Sequence, residues 1–170
     1  MNTGAVSKRE HPPVENRILP YAMLRVVNPV VRTLLKSRLH GVLSRDMMLL
    51  HVTGRRSGRV YVVPVGRHEH HGQLVASAGG AWRRNLVGGA ALEVTLDGRR
   101  RRADGELVDD PEVVAEIFGD LLDHLGPRRA IRVGLKVNVD RAPTTGELRA
   151  ALVGRNVLRL RLLEPERSDG

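Results

Sequence analysis

Leu92-Glu93-Val94-Thr95-Leu96-Asp97-Gly98-Arg99-Arg100-Arg101-Arg102-Ala103-Asp104-Gly105-Glu106-Leu107-Val108 reads as a β-hairpin. Leu92, Val94 and Leu96 alternate with Glu93 and Thr95, the pattern of a strand with one buried face. Asp97-Gly98 is a two-residue turn signal, because such turns need positive φ at both positions and this pair tolerates it. The return strand spans about Arg99 to Val108.

Upstream, Met48 to Thr53 reads as a buried strand stopped by Gly54. Arg59 to Arg67 is a valine-rich second strand whose Pro64 implies an edge or bulge position. His68 to Gly72 reads as a turn and Gln73 to Ala78 as a third strand. Gly79-Gly80 then opens a loop into a short helical stretch from about Trp82 to Leu86. Downstream, Asp110-Pro111 starts a helix striped by Val113, Val114, Ile117, Leu121 and Leu122, and Gly126-Pro127 ends it. Residues 128–140 fit helix or strand. Thr144-x-x-Glu147 predicts a capping box for a helix through Leu152, and Leu158, Leu160 and Leu162 mark a last strand. About six strands in series predict an α+β fold, an antiparallel sheet closing into a small barrel with flanking helices. Strand and helix do not alternate, which disfavours a doubly wound sheet.

Residues 1–17 are expected to be a flexible arm, and 18–166 a single domain, a size that suits the chain's 170 residues. After Pro20, apolar residues from Met23 to Val42 follow helical spacing, with Asn28-Pro29 dividing them into two short helices. That segment predicts an amphipathic cover for the sheet, with peripheral membrane contact as its alternative use. The first sixteen residues lack a signal-peptide core and no apolar run reaches the ~20 residues of a bilayer span, so a cytoplasmic protein is expected.

There is no cysteine, which excludes disulfides, thiolate metal sites and cysteine nucleophiles. The formal net charge of +9 is carried by arginine, since Lys8, Lys36 and Lys136 are the only lysines. That balance points to anionic partners. Nucleic acid is not expected, because stacking aromatics on a strand face are missing; Tyr21, Tyr61, Trp82 and Phe118 are the whole aromatic set.

Two stretches carry candidate chemistry. Thr53-Gly54-Arg55-Arg56-Ser57-Gly58-Arg59 lies between predicted strands. Its glycines let backbone N–H groups converge on an anion, while Arg55, Arg56 and Arg59 add charge and Ser57 a hydroxyl. In Ser77-Ala78-Gly79-Gly80-Ala81-Trp82-Arg83-Arg84-Asn85-Leu86, a glycine turn runs into a helix start. Trp82 could wall a planar ring and Asn85 could bond its edge. His68-Glu69-His70-His71 contains ligand chemistry, but adjacent residues of an extended chain point oppositely. A solvated turn, and no metal site, is expected there.

These stretches, with Val63-Pro64-Val65 between them, resemble the deazaflavin-dependent nitroreductase family, which includes actinobacterial nitroreductases and quinone reductases. The resemblance runs from Leu34 to Leu122, with Asn28-Pro29-Val30-Val31-Arg32 as lead-in. It implies a split β-barrel related to FMN-binding oxidoreductases and the deazaflavin coenzyme F420. By the same resemblance, Arg55, Arg56, Ser57 and Arg59 meet the cofactor's phosphate and acidic tail. Pro64 lies beside the cleft, Ser77, Gly79, Gly80 and Ala81 approach the ring, and Trp82 and Asn85 close over it. The implied activity is hydride transfer to a small apolar acceptor such as a quinone, enone or nitro compound. Nitroreductases of the family use C-terminal tyrosines, whereas this chain has none after Tyr61. Ser77, a histidine or water is then the expected proton source. The alternatives are an FMN-binding oxidoreductase and a non-catalytic cofactor-, lipid- or haem-binding protein. The oligomeric state is not legible.

Overall fold

The computed structural model describes residues 11–17 and 46–164. The hairpin that anchors the sequence reading is β6 (Ala90–Leu96) and β7 (Arg99–Val108), joined with Asp97 at φ 48° and Gly98 at φ 75°. Its register sets Leu96 opposite Arg99 and Ala90 opposite Gly105, and Leu92, Val94 and Leu96 are buried. The other strands are β1 (Val14–Asn16), β2 (Met47–Thr53), β3 (Val60–Gly66), β4 (His68–His70), β5 (Gln73–Ala78), β8 (Leu135–Val137) and β9 (Asn156–Leu162). Seven strands form one antiparallel sheet in the order β3-β2-β6-β7-β9-β5-β4, and β1 pairs with β8. The sheet curls until β3 touches β5, giving a half-barrel. Pro64 sits on β3, an edge strand, where its missing N–H leaves no ladder bond unmade.

Side-chain alternation gives the curled sheet two buried faces. Met48, Leu50, Val52, Val65, Ala76, Ala78, Val94, Leu158 and Leu160 fill the concave side. On the convex side Val75 and Val157 pack under α1 (Pro111–Leu125), with α2 (Thr145–Ala151) and a 3-10 helix at Pro127–Val133 completing that core. Asp110 accepts from the backbone N–H groups of Glu112 and Val113 and caps α1. Thr144 and Glu147 form the capping box of α2.

Three differences from the sequence reading are physical. The flexible arm was expected to extend through residue 17, but β1 pairs with β8 and buries Val14. His68 to Gly72 is not all turn: His68–His70 pairs with β5, leaving His71 and Gly72 as the two turn residues. Residues 128–140 contain both a 3-10 helix and β8. The missed strands β1, β4 and β8 have three residues each, too few for alternation to register. The helices expected between Pro20 and Ser44, with their membrane contact, lie outside the described residues. Among the described residues no helix is long and apolar enough to cross a membrane.

Candidate functional site

The glycine–arginine loop begins where β2 stops. Gly54 N–H donates to the Arg59 carbonyl and Gly58 N–H to the Gly54 carbonyl, both at 2.8 Å, closing a tight bend. A Cβ at Gly54 would lie 2.6 Å from Ser57 Oγ and 2.9 Å from Tyr61 Cε2, so any larger residue there makes these two side chains shift. Arg59 N–H donates to Ser57 Oγ at 3.3 Å, and the Tyr61 hydroxyl lies 3.5 Å from the same oxygen.

The second stretch is a 3-10 helix, Ala81–Leu86, entered through Gly80 at φ 80°. Leu86 is buried in the concave core and Trp82 packs half-buried against it. Asn85 joins the two stretches. Its Oδ1 accepts from Arg55 N–H at 3.0 Å, and its Nδ2 donates to the Trp82 carbonyl at 3.1 Å. The Arg55 guanidinium donates to the carbonyls of Val87 and Gly89 just beyond the helix. The loop and the helix therefore form one hydrogen-bonded junction.

Around it, the side chains of Arg56, Arg59 and Arg84 are exposed and have no hydrogen-bond or ion-pair partner among the described residues. Arg55 and Asn85 are spent on the junction itself, whereas these three guanidiniums make no such bond among the described residues. The donor set fits a cofactor with a phosphate and an acidic tail. Gly79, Gly80 and Ala81 are exposed beside Trp82, leaving the approach to the indole open. Two grooves on the described surface, one between α1 and α2 and one between β1 and α2, are lined by other residues.

Pro64 and Ser77 are not brought to this junction. Pro64 pairs with Leu49, on the face opposite to Met48, Leu50 and Val65. Ser77 pairs with Val157 on the convex face and receives a 2.6 Å bond from Arg155 Nη2. Trp82 packs with the concave side, so the sheet separates it from the Ser77 hydroxyl.

Arg155 escaped the sequence reading. It is 9% exposed and has no carboxylate partner among the described residues; its guanidinium donates to Ser77, Asn16 and the carbonyls of Val133 and Gly134, and lies over the Phe118 ring at 4.7 Å. Burial lowers its pKa to about 10, and the side chain stays a cation at neutral pH. It ties β1, β5, β9 and the second 3-10 helix together from the convex side. Arg84, inside the second quoted stretch, and Tyr61, two residues after the first, were given no role in the sequence reading.

A family model for F420H(2)-dependent quinone reductase matches residues 24–124, more than half of the chain. No curated protein matches. Among solved structures, a domain-swapped dimer is 17% identical, with 82% of this chain and 99% of that chain covered and a TM-score of 0.46. A candidate 5-nitroimidazole antibiotic resistance protein from Bacteroides thetaiotaomicron is 14% identical, with 86% and 83% covered and a TM-score of 0.41. ChuZ from Campylobacter jejuni is 8% identical, with 87% and 64% covered and a TM-score of 0.42. On the family match, the chain belongs to the F420H(2)-dependent quinone reductase family, an oxidoreductase family for which coenzyme F420 is the expected cofactor.

Proposed function

We propose that the chain reduces a small apolar acceptor, a quinone first and enones or nitro compounds as further substrates, at the junction of the Gly54–Arg59 bend and the Ala81–Leu86 helix. The observation that carries this placement is that Arg56, Arg59 and Arg84, exposed and without a side-chain partner among the described residues, lie on the two segments that Arg55 and Asn85 bond together. Reduced F420 supplies the hydride when bound.

The protein's share of the chemistry is binding and orientation. Arg56, Arg59 and Arg84 offer planar, permanently charged donors to phosphate and carboxylate groups. The bend fixes where those charges start, because Gly54, Ser57 and Tyr61 are packed against one another. Trp82, held at its base by the concave core, offers an indole wall to a flat ring. Tyr61, 43% exposed with its hydroxyl at the bend, is the phenol that would hand a proton to a reduced acceptor. Ser77, already held by Arg155, acts by supporting the end of β5.

Trp82 is the only tryptophan and reports directly on occupancy. Titrating the protein with F420 should quench its emission saturably, and the loaded protein should oxidise F420H2 in the presence of a naphthoquinone. Unchanged emission and no turnover would overturn the assignment. Tighter binding of FMN than of F420 would move the chain to flavin chemistry on the same fold.

A further inference from the structure

The turn between β4 and β5 carries a feature that hydride transfer does not use. His71 has φ 49° and Gly72 φ 74°, the left-handed pair that closes a two-residue hairpin. The reversal brings two neighbouring imidazoles toward one carboxylate. His70 Nε2 lies 2.8 Å from Asp120 Oδ2 and His71 Nε2 lies 3.5 Å from the same atom. The two rings meet edge to face with centroids 4.1 Å apart. Ligand atoms from all three residues fall within 4.8 Å of one another.

We propose that His70, His71 and Asp120 form a binding site for a divalent transition-metal ion of the zinc class, which clasps the β4–β5 turn to α1. A tetrahedral zinc ion holds N and O ligands at about 2.0–2.1 Å, which sets them roughly 3.4 Å apart. The His71–Asp120 separation of 3.5 Å already has that value, the His70–Asp120 pair has to open from 2.8 Å, and the two imidazole ligand atoms, within 4.8 Å of each other, have to draw together as the exposed His71 side chain turns. Two imidazoles and a carboxylate select zinc-like ions over magnesium or calcium, which prefer all-oxygen shells. The fourth position faces solvent, because the His71 side chain is 76% exposed and that of Asp120 40%, so water completes the shell. His70, with its side chain only 10% exposed, is the rigid ligand on which the other two close. His124, one turn later on α1, bonds the Asp120 main-chain carbonyl at 2.7 Å and is not one of the three clustered ligands. Binding displaces the proton that His70 shares with Asp120, so protons are released as the ion enters.

The test is calorimetric titration of metal-stripped protein with ZnCl2, with thermal unfolding recorded with and without zinc. The wild type should bind one ion per chain in the micromolar range and unfold at a higher temperature when loaded. His71→Ala, a change at an exposed turn side chain, and Asp120→Asn should each weaken binding at least tenfold, and His124→Ala should leave it unchanged. No saturable binding at millimolar zinc, or equal affinity in the wild type and His71→Ala, would overturn the proposal.

Discussion

Two turns of this sheet are each fastened to a helical element, and they are fastened with different chemistry. The Gly54–Arg59 bend is tied to the Ala81–Leu86 helix by a guanidinium, a carboxamide and main-chain groups. The His71–Gly72 turn is tied to α1 by imidazoles and a carboxylate. The first fastening contains no imidazole or carboxylate, so protons have no such group to act on there. The second fastening responds to protons and has the chemistry to take a metal. A surface that must hold an anionic cofactor gains from fixed charge; a clasp remote from it is free to be labile.

Gly54→Ala should produce the largest effect. The added methyl makes Ser57 and Tyr61 shift out of the packed bend, and overpacking costs about 1–3 kcal/mol. Chemical denaturation should show that loss, together with a drop in F420 affinity of more than tenfold. Asn85→Ala should come next, because it leaves Arg55 N–H and the Trp82 carbonyl without their bonds. The expected cost is about 1–2 kcal/mol, seen in both unfolding and F420 binding. Asp120→Asn sharpens the contrast: F420 affinity should not change, and only the β4–β5 turn should exchange its amide protons faster. If Asp120→Asn weakened F420 binding as much as Asn85→Ala does, the two fastenings would be coupled and the comparison would fail.

Arg59→Gln should have a smaller effect, a few-fold loss of F420 affinity with unfolding unaltered, because this side chain has no partner to lose among the described residues. The smallest effect is on pH dependence. The hydrogen bond from His70, with the nearby charge of both imidazoles, holds the Asp120 carboxyl below its ordinary value of 3.8. A depressed carboxyl stabilises the fold above its unfolded pKa, and that contribution is lost as pH falls through the lower folded value. Glu147 follows the same sign, since Arg141 and the Thr144 N–H hold it at about 2. Acid should therefore release the β4–β5 turn and the start of α2 while amide signals around Arg55 and Asn85 stay in place, an outcome that NMR titration reads directly.

The sequence reading located these regions with unequal success. Local rules sufficed wherever one segment determined its own shape. Asp97-Gly98, Asp110-Pro111 and Thr144-x-x-Glu147 are complete signals within four residues, and the structure has the turn, the helix start and the capping box there. β5 and β7 likewise have the expected limits. Short elements failed because three residues offer a single alternation, and β1 exists only because β8, more than a hundred residues away, offers it an edge.

The site divides in the same way. Arg55, Asn85 and Trp82 were named from motif order, and the structure joins them. Pro64 and Ser77 belong to the same motifs, but strand alternation turns their side chains to the other face. The His70–His71 pair was read as opposed because an extended chain was assumed; a positive φ at His71 removes that assumption. Arg155 gave no local signal, since its burial depends on Ser77, Phe118 and Gly134 meeting around it.

The most direct test compares the affinity of F420 with that of a deazaflavin lacking the phosphate and acidic tail, across a series of salt concentrations. Charge held by Arg56, Arg59 and Arg84 predicts that F420 binds more tightly, and that its advantage shrinks steadily as salt screens the exposed guanidiniums. Equal affinities for the two compounds, with no dependence on salt, would contradict the placement of the cofactor's anionic end at this junction.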